Sequence, residues 1–162
     1  MAPRTLILMR HGKSAYPPGV ADHDRPLADR GEREAGLAGE WIRRTQPHVD
    51  AALCSTATRT RLTLDATGIE APARFAESLY GTNAAGVLHE IARTDDEVHT
   101  LLVVGHEPGV PDAAVALDPN GTLADRIAER FPTSAIATLA VVGTWSRILS
   151  TRATLTGFHV PR

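Results

Sequence analysis

Arg10, His11 and Gly12 follow directly on the apolar run Thr5-Leu6-Ile7-Leu8-Met9. A histidine on a turn beside glycine can present a ring nitrogen as a nucleophile, and the planar guanidinium next to it can grip a tetrahedral oxyanion such as phosphate. The same residue types return further along the chain. Ser55-Thr56-Ala57-Thr58-Arg59-Thr60 supplies a second arginine, and Val104-Gly105-His106-Glu107-Pro108-Gly109 supplies a second histidine, again just beyond an apolar run. Glu77, in Glu77-Ser78-Leu79-Tyr80-Gly81, adds a carboxyl group. Two guanidinium forks and a ring nitrogen suit a site for phosphoryl groups. Gly12, Lys13 and Ser14 are then candidate substrate-binding residues, with Lys13 as a cation on the rim.

These residues can act together only if the fold brings them to one place. Thr5–Met9 reads as a buried parallel strand that ends at a loop, Ala51–Ser55 as a second strand, Arg74–Glu77 as a third and Thr100–Val104 as a fourth. Helices are expected between them. One begins at Asp29, taken as N-cap with Glu32 completing a capping box, and closes at Pro47; another runs from Ala57 to Thr67 with Gly68 as its stop; a third covers Asn83–Arg93. Prolines 108 and 111 start a further helix, Leu123–Arg130 forms another, and Thr133–Val142 and Thr151–Val160 close the sheet. Strands alternating with helices predict an α/β fold, a mostly parallel sheet flanked by helices. Ligands of such sheets bind beyond the carboxyl ends of the strands, which is where Arg10-His11-Gly12, Ser55–Arg59, Glu77 and His106 fall.

The 162 residues, 43% hydrophobic and 22% charged, suit a single domain over residues 1–162. A net charge of −2 disfavours nucleic acid and anionic membranes as partners, and no apolar run is long enough to span a bilayer, so a cytoplasmic protein is expected. Cys54 has no partner for an internal disulfide and reads as a core thiol. Gly12-Lys13-Ser14 mimics the end of a nucleotide-binding P-loop, but the required earlier glycine is Ile7. His23, His48, His89, His99 and His159 show no paired helical spacing for a metal.

Taken in order, the blocks Leu8–Gly12, Ser55–Thr60 and Val104–Gly109, with Arg25–Gly31 and Phe131–Ala137, resemble the histidine phosphatase superfamily of phosphoglycerate mutase-like fold. The short length, Arg10–Ser14 and the Phe-Pro-Thr segment are most similar to its SixA-type phosphohistidine phosphatases. The resemblance implies dephosphorylation through a covalent phosphohistidine on His11, with Arg10, Arg59 and His106 holding the phosphoryl oxygens and with neither metal nor cofactor. It implies a phosphorylated protein, or a small phosphorylated compound, as substrate. Glu77-Ser78-Leu79-Tyr80-Gly81 resembles the stretch that carries the proton donor in mutase-type relatives, which makes Glu77 a candidate acid. Glu107 stands where family members often carry Asn, and Ala28 where Thr often begins the first helix. A small-molecule phosphomonoesterase, a mutase and a catalytically silent phospho-ligand binding module are the alternatives.

Overall fold

The structure, a computed structural model, describes residues 2–162. Its centre is a six-stranded sheet in the order β3-β2-β4-β1-β5-β6, built from β1 (Arg4–Arg10), β2 (Ala51–Ser55), β3 (Ala73–Ala76), β4 (Thr100–Gly105), β5 (Ile136–Val141) and β6 (Ala153–His159). β1, β2, β3 and β4 are mutually parallel, β5 runs antiparallel to β1, and β6 runs antiparallel to β5. Only β5 therefore opposes the common direction, and the mostly parallel sheet expected from the sequence is present.

β1 and β4 are continuous apolar runs because both of their faces are covered. Successive β1 side chains alternate between two cores. Ile7 and Met9 pack with Ala35, Ala38 and Ile42 of α1 (Asp29–Thr45) and Leu64 of α2 (Thr58–Thr67). Leu6 and Leu8 pack on the opposite face with α3 (Ala84–Ile91), α4 (Gly109–Leu117) and α5 (Ala124–Glu129). Burying such a side chain contributes about 1.5–3 kcal/mol, so the strand ends that carry the candidate residues rest on the most stable part of the molecule.

Several local expectations are corrected. Ala28, not Asp29, is the N-cap of α1, with no side-chain cap hydrogen bond. Asp29 and Glu32 lie inside the first turn, where they favour the helix through its dipole and form no capping box. β3 ends at Ala76, so Glu77 opens a 3-10 turn, Glu77–Leu79, and is not a strand residue. α3 starts after Asn83, whose side chain accepts from the Gly86 N–H, and it stops at Ile91 rather than Arg93. The closing strands are shorter than expected, and a 3-10 segment, Trp145–Ser150, lies between them. Gly68 ends α2 in the left-handed region, as its sequence position implies. No helix among the described residues is long and apolar enough to cross a membrane.

The loop after β1 is pressed against the start of α1. A Cβ on Gly12 would lie 2.8 Å from the Gly31 carbonyl oxygen, and one on Gly31 would lie 2.1 Å from the Lys13 carbonyl oxygen. Both contacts are backbone, so neither can be relieved by a side-chain rotation. Gly31→Ala is accordingly expected to destabilise the protein by about 1–3 kcal/mol and to lower activity by displacing the loop that carries His11. Thermal melts and turnover measured on one preparation check both effects.

Candidate active site

β1, β2 and β4 end side by side at one edge of the sheet, and the segments beyond them surround a cavity of about 440 Å³. Arg10, His11, Lys13, Ser14, Arg59 and His106 all line it. The sequence-distant groups expected to converge thus do so, with two exceptions described below.

His11 is fixed by its backbone. Its N–H donates to the Gly105 carbonyl at 3.0 Å, and its carbonyl accepts from the Ser134 N–H at 2.9 Å. The ring is almost fully buried, and Nδ1 lies 2.7 Å from the Gly12 carbonyl. A carbonyl only accepts, so Nδ1 carries the proton and Nε2 keeps its lone pair. Burial pushes the ring pKa down to about 3, with the positive charges of Arg10 and Arg59 acting in the same sense and the Gly12 carbonyl opposing them. His11 is therefore a neutral imidazole at pH 7.

His106 stands with its ring centroid 5.3 Å from that of His11. Its Nε2 is 2.8 Å from Ser55 Oγ at the end of β2, which leaves Nδ1 free of that contact. Burial, followed by the charge of Arg59, lowers its pKa to about 4. Arg59 occupies the first turn of α2 and is almost fully buried. Its Nη1 donates to the Asp22 carbonyl at 2.7 Å and its Nη2 to Asp22 Oδ2 at 3.1 Å. Arg10 donates from Nη1 to the Phe131 carbonyl at 3.1 Å and lies 2.9 Å from Glu107 Oε2. Glu107 thus pairs with a site arginine. The Nε groups of Arg10 and Arg59 are buried without a partner, a deficit that a bound oxyanion would fit.

Two sequence assignments change. Gly12 does not line the cavity: its N–H donates to Thr63 Oγ1 at 2.9 Å and its carbonyl holds His11, so it orients the ring and offers nothing to a substrate. Glu77 stands outside the cavity lining, 72% exposed, where it accepts from Thr56 Oγ1 and lies 3.5 Å from His23 Nε2. Lys13 is an exposed rim cation, and the buried Ser14 accepts from Arg25 Nη1 at 3.0 Å. Further lining residues escaped the sequence reading, among them Tyr16, Asp22, Arg25 and Tyr80. Arg25 stacks over the Tyr16 ring at 4.1 Å. Arg25 and Tyr80 belong to segments already singled out, whereas Asp22 carries no local signal. Among the described residues no group of three or more His, Cys, Asp or Glu is placed to hold a metal ion. Cys54 is buried and its thiol pKa is pushed up to about 12, which fits an inert core thiol.

The strongly depressed His11 and His106 make stability depend on pH. Between their folded values, about 3 and about 4, and the ordinary 6.5, the unfolded chain binds protons that the folded one does not. Stability from this source is complete above pH 6.5 and is lost as pH falls toward 4. Melting temperature is thus expected to fall between pH 7 and pH 5, and to fall less in His11→Asn, which keeps only one of the two groups. Parallel melts at the two pH values check this.

Residues 6–98 match the family model described as histidine phosphatase superfamily (branch 1), a span that includes Arg10, His11 and Arg59 and stops short of His106. An uncharacterized protein of Mycobacterium tuberculosis is 59% identical over 158 residues, covering 95% of this chain and all of that protein. A structure from Nakamurella multipartitia, provisionally named a phosphohistidine phosphatase SixA, superposes with a TM-score of 0.93 at 38% identity over 99% of this chain and 98% of that one. A second structure so named, from Agrobacterium tumefaciens, gives a TM-score of 0.80 at 29% identity over 98% and 99%. With the ordered arginine and histidine blocks gathered around one cavity, these matches show that the chain belongs to the histidine phosphatase superfamily, branch 1, and is of the SixA type.

Proposed function

We propose that this protein removes the phosphoryl group from protein phosphohistidine through a covalent phosphohistidine on His11, without a metal ion. The observation that carries the reading is the state of His11: neutral, with Nδ1 held by the Gly12 carbonyl and Nε2 left free beside Arg10, Arg59 and His106.

In the first step the Nε2 lone pair attacks phosphorus. The Nε2–P bond forms as the P–N bond to the substrate imidazole breaks, and that imidazole takes a proton from solvent. Arg10, Arg59 and His106 hold the three equatorial oxygens, and because they are placed in advance they stabilise the charge that spreads over those oxygens without reorganising. In the second step water attacks phosphorus, the Nε2–P bond breaks, and inorganic phosphate leaves. The neutral ring and the cationic forks are restored. A phosphatase panel containing a phosphohistidine protein and alkyl phosphates, run with and without a chelator, tests the proposal. Preference for the phosphohistidine, unaffected by chelation, is the expected result. Loss of activity on chelation, or a strong preference for an alkyl ester, contradicts it.

Glu77 separates this reading from that of a small-molecule phosphomonoesterase. A leaving imidazole has a conjugate acid of pKa about 6.5 and needs little enzymic help. An alkoxide leaving group is about as basic as hydroxide, and general acid assistance to it is worth roughly 10² to 10⁴-fold. Glu77 sits at the rim, tied to Thr56 and His23. Glu77→Gln is therefore expected to leave phosphohistidine hydrolysis within about threefold of wild type and to slow any alkyl ester hydrolysis by about tenfold or more. Both rates measured on the same preparation check this; an equal loss on the two substrates would assign Glu77 a structural role.

A further inference from the structure

The guanidinium groups of Arg10 and Arg59 are each engaged by a carboxylate of the chain itself, and the two engagements differ in kind. Glu107 reaches Arg10 through one half-exposed contact of 2.9 Å. Asp22 takes the whole outer edge of the Arg59 fork, its backbone carbonyl accepting from Nη1 at 2.7 Å and its Oδ2 from Nη2 at 3.1 Å. Oδ2 also accepts from the Tyr80 hydroxyl, and Oδ1 accepts from Arg25 Nε at 3.1 Å. With one carboxylate oxygen and one backbone carbonyl, Asp22 thus takes both Nη donors of Arg59, donors that a bound oxyanion would also draw on.

The segment that carries Asp22 can move without disturbing the core. The 3-10 turn Asp22–Asp24 contains no buried residue, and beyond the Asp22 contacts it is fastened by His23 Nε2, 2.9 Å from Thr56 Oγ1, and 3.5 Å from Glu77 Oε2. His23 also packs edge-on against the Tyr80 ring, with centroids 4.8 Å apart, and all of these fastenings lie at the rim of the cavity.

We infer that Asp22 is an affinity-setting residue for this site: a tethered competitor that fills the Arg59 fork in the empty enzyme, moves off when a phosphoryl group enters, and returns to help expel inorganic phosphate. The inference rests on the reading of the cavity as a phosphoryl-transfer site. A tethered group competes at a high effective concentration and lowers the apparent affinity of every anion by the same factor. A phosphoryl group carried on a protein offsets that factor with contacts made by the rest of the partner. Free phosphate makes only the contacts of the cavity itself and has no such offset, so product inhibition is relieved.

Tungstate binding by calorimetry, with phosphate inhibition of turnover alongside, tests the inference on the full chain. Asp22→Asn and Asp22→Ala are expected to bind tungstate about tenfold or more tightly than wild type and to be more strongly inhibited by phosphate. Asp24→Asn removes the same charge from the same turn, but Asp24 lies 3.7 Å from His23 Nδ1 and away from Arg59, so its affinity is expected to stay within about twofold of wild type. Unchanged or weaker tungstate binding in the Asp22 variants would overturn the inference, since Asp22 would then orient Arg59 instead of competing for it. Equal tightening in Asp24→Asn would also overturn it, in favour of general charge. Tightened binding in the Asp22 variants of a protein that turns over no phosphorylated substrate would support the competitor while contradicting the phosphatase reading.

Discussion

His11→Ala is expected to reduce turnover by about 10⁴-fold or more while leaving the protein folded, because a covalent mechanism without its nucleophile retains only binding and electrostatic stabilisation. The fold survives the change because His11 is held in place by its neighbours and does not hold them: its N–H and carbonyl remain bonded to Gly105 and Ser134 whatever the side chain. The ring lies against the cavity, where water can replace it. A circular dichroism spectrum and a cooperative melt within about 5 °C of wild type are expected alongside the lost activity. The depressed pKa, about 3, adds a second expectation for the wild-type ring. Its NMR resonances should not titrate between pH 5 and 8, so the ring keeps its Nε2 lone pair throughout that range. Titration of His11 near the ordinary 6.5 would mean that burial does not govern its charge.

Arg59→Ala carries the second large effect. Arg59 is almost fully buried at the N-terminal turn of α2, with its Nη atoms bonded to Asp22 and its Nε unpartnered. Loss of a charge-assisted contact of this kind is worth about 1.5–3 kcal/mol, or roughly tenfold to hundredfold in oxyanion affinity. The expected loss in turnover is larger, about 10³-fold, because charge on the equatorial oxygens grows toward the transition state and a positioned arginine acts most strongly there. The exposed Arg33→Ala serves as the comparison and is expected to change neither quantity measurably. Arg59→Lys keeps the charge but loses the fork, and an intermediate activity is expected of it. Calorimetry with tungstate and steady-state kinetics separate the two losses. Equal affinities and rates in Arg59→Ala and Arg33→Ala would remove Arg59 from the site.

The central strands were legible because burial on both faces forces an unbroken apolar run, as in Leu6–Met9 and Leu101–Val104. Their ends were legible for the same reason: polar residues that follow such a run abruptly must lie at the sheet edge, and Arg10, His11 and His106 do. Short elements were not. The 3-10 segment Trp145–Ser150 is too brief to show a period, and what fixes it is the wholly buried Trp145, whose indole N–H donates to the Val98 carbonyl at 2.7 Å. The cap of α1 was misplaced by one residue because Asp29 has the right chemistry for an N-cap but lies one position inside the helix.

Within the site, the residues that propensity and spacing could not reach are those whose role depends on contacts far along the chain. Asp22 meets Arg59 across 37 residues and Tyr80 across 58. A carboxylate also runs against the charge expected of an anion site, so nothing in the local sequence points to it. Gly12 is next to His11 in sequence, but its contacts in the structure are not those of a substrate-binding residue. Its carbonyl sets the His11 tautomer, and that depends on a ring orientation that residue order does not specify.

Rapid quenching of the protein mixed with ³²P-labelled phosphohistidine substrate tests the central claim most directly. Wild type is expected to trap label in an acid-labile, alkali-stable form that maps to the peptide containing His11, and His11→Ala is expected to trap none. Label that persists in His11→Ala, or that is stable to acid in the wild type, would contradict a phosphohistidine on His11.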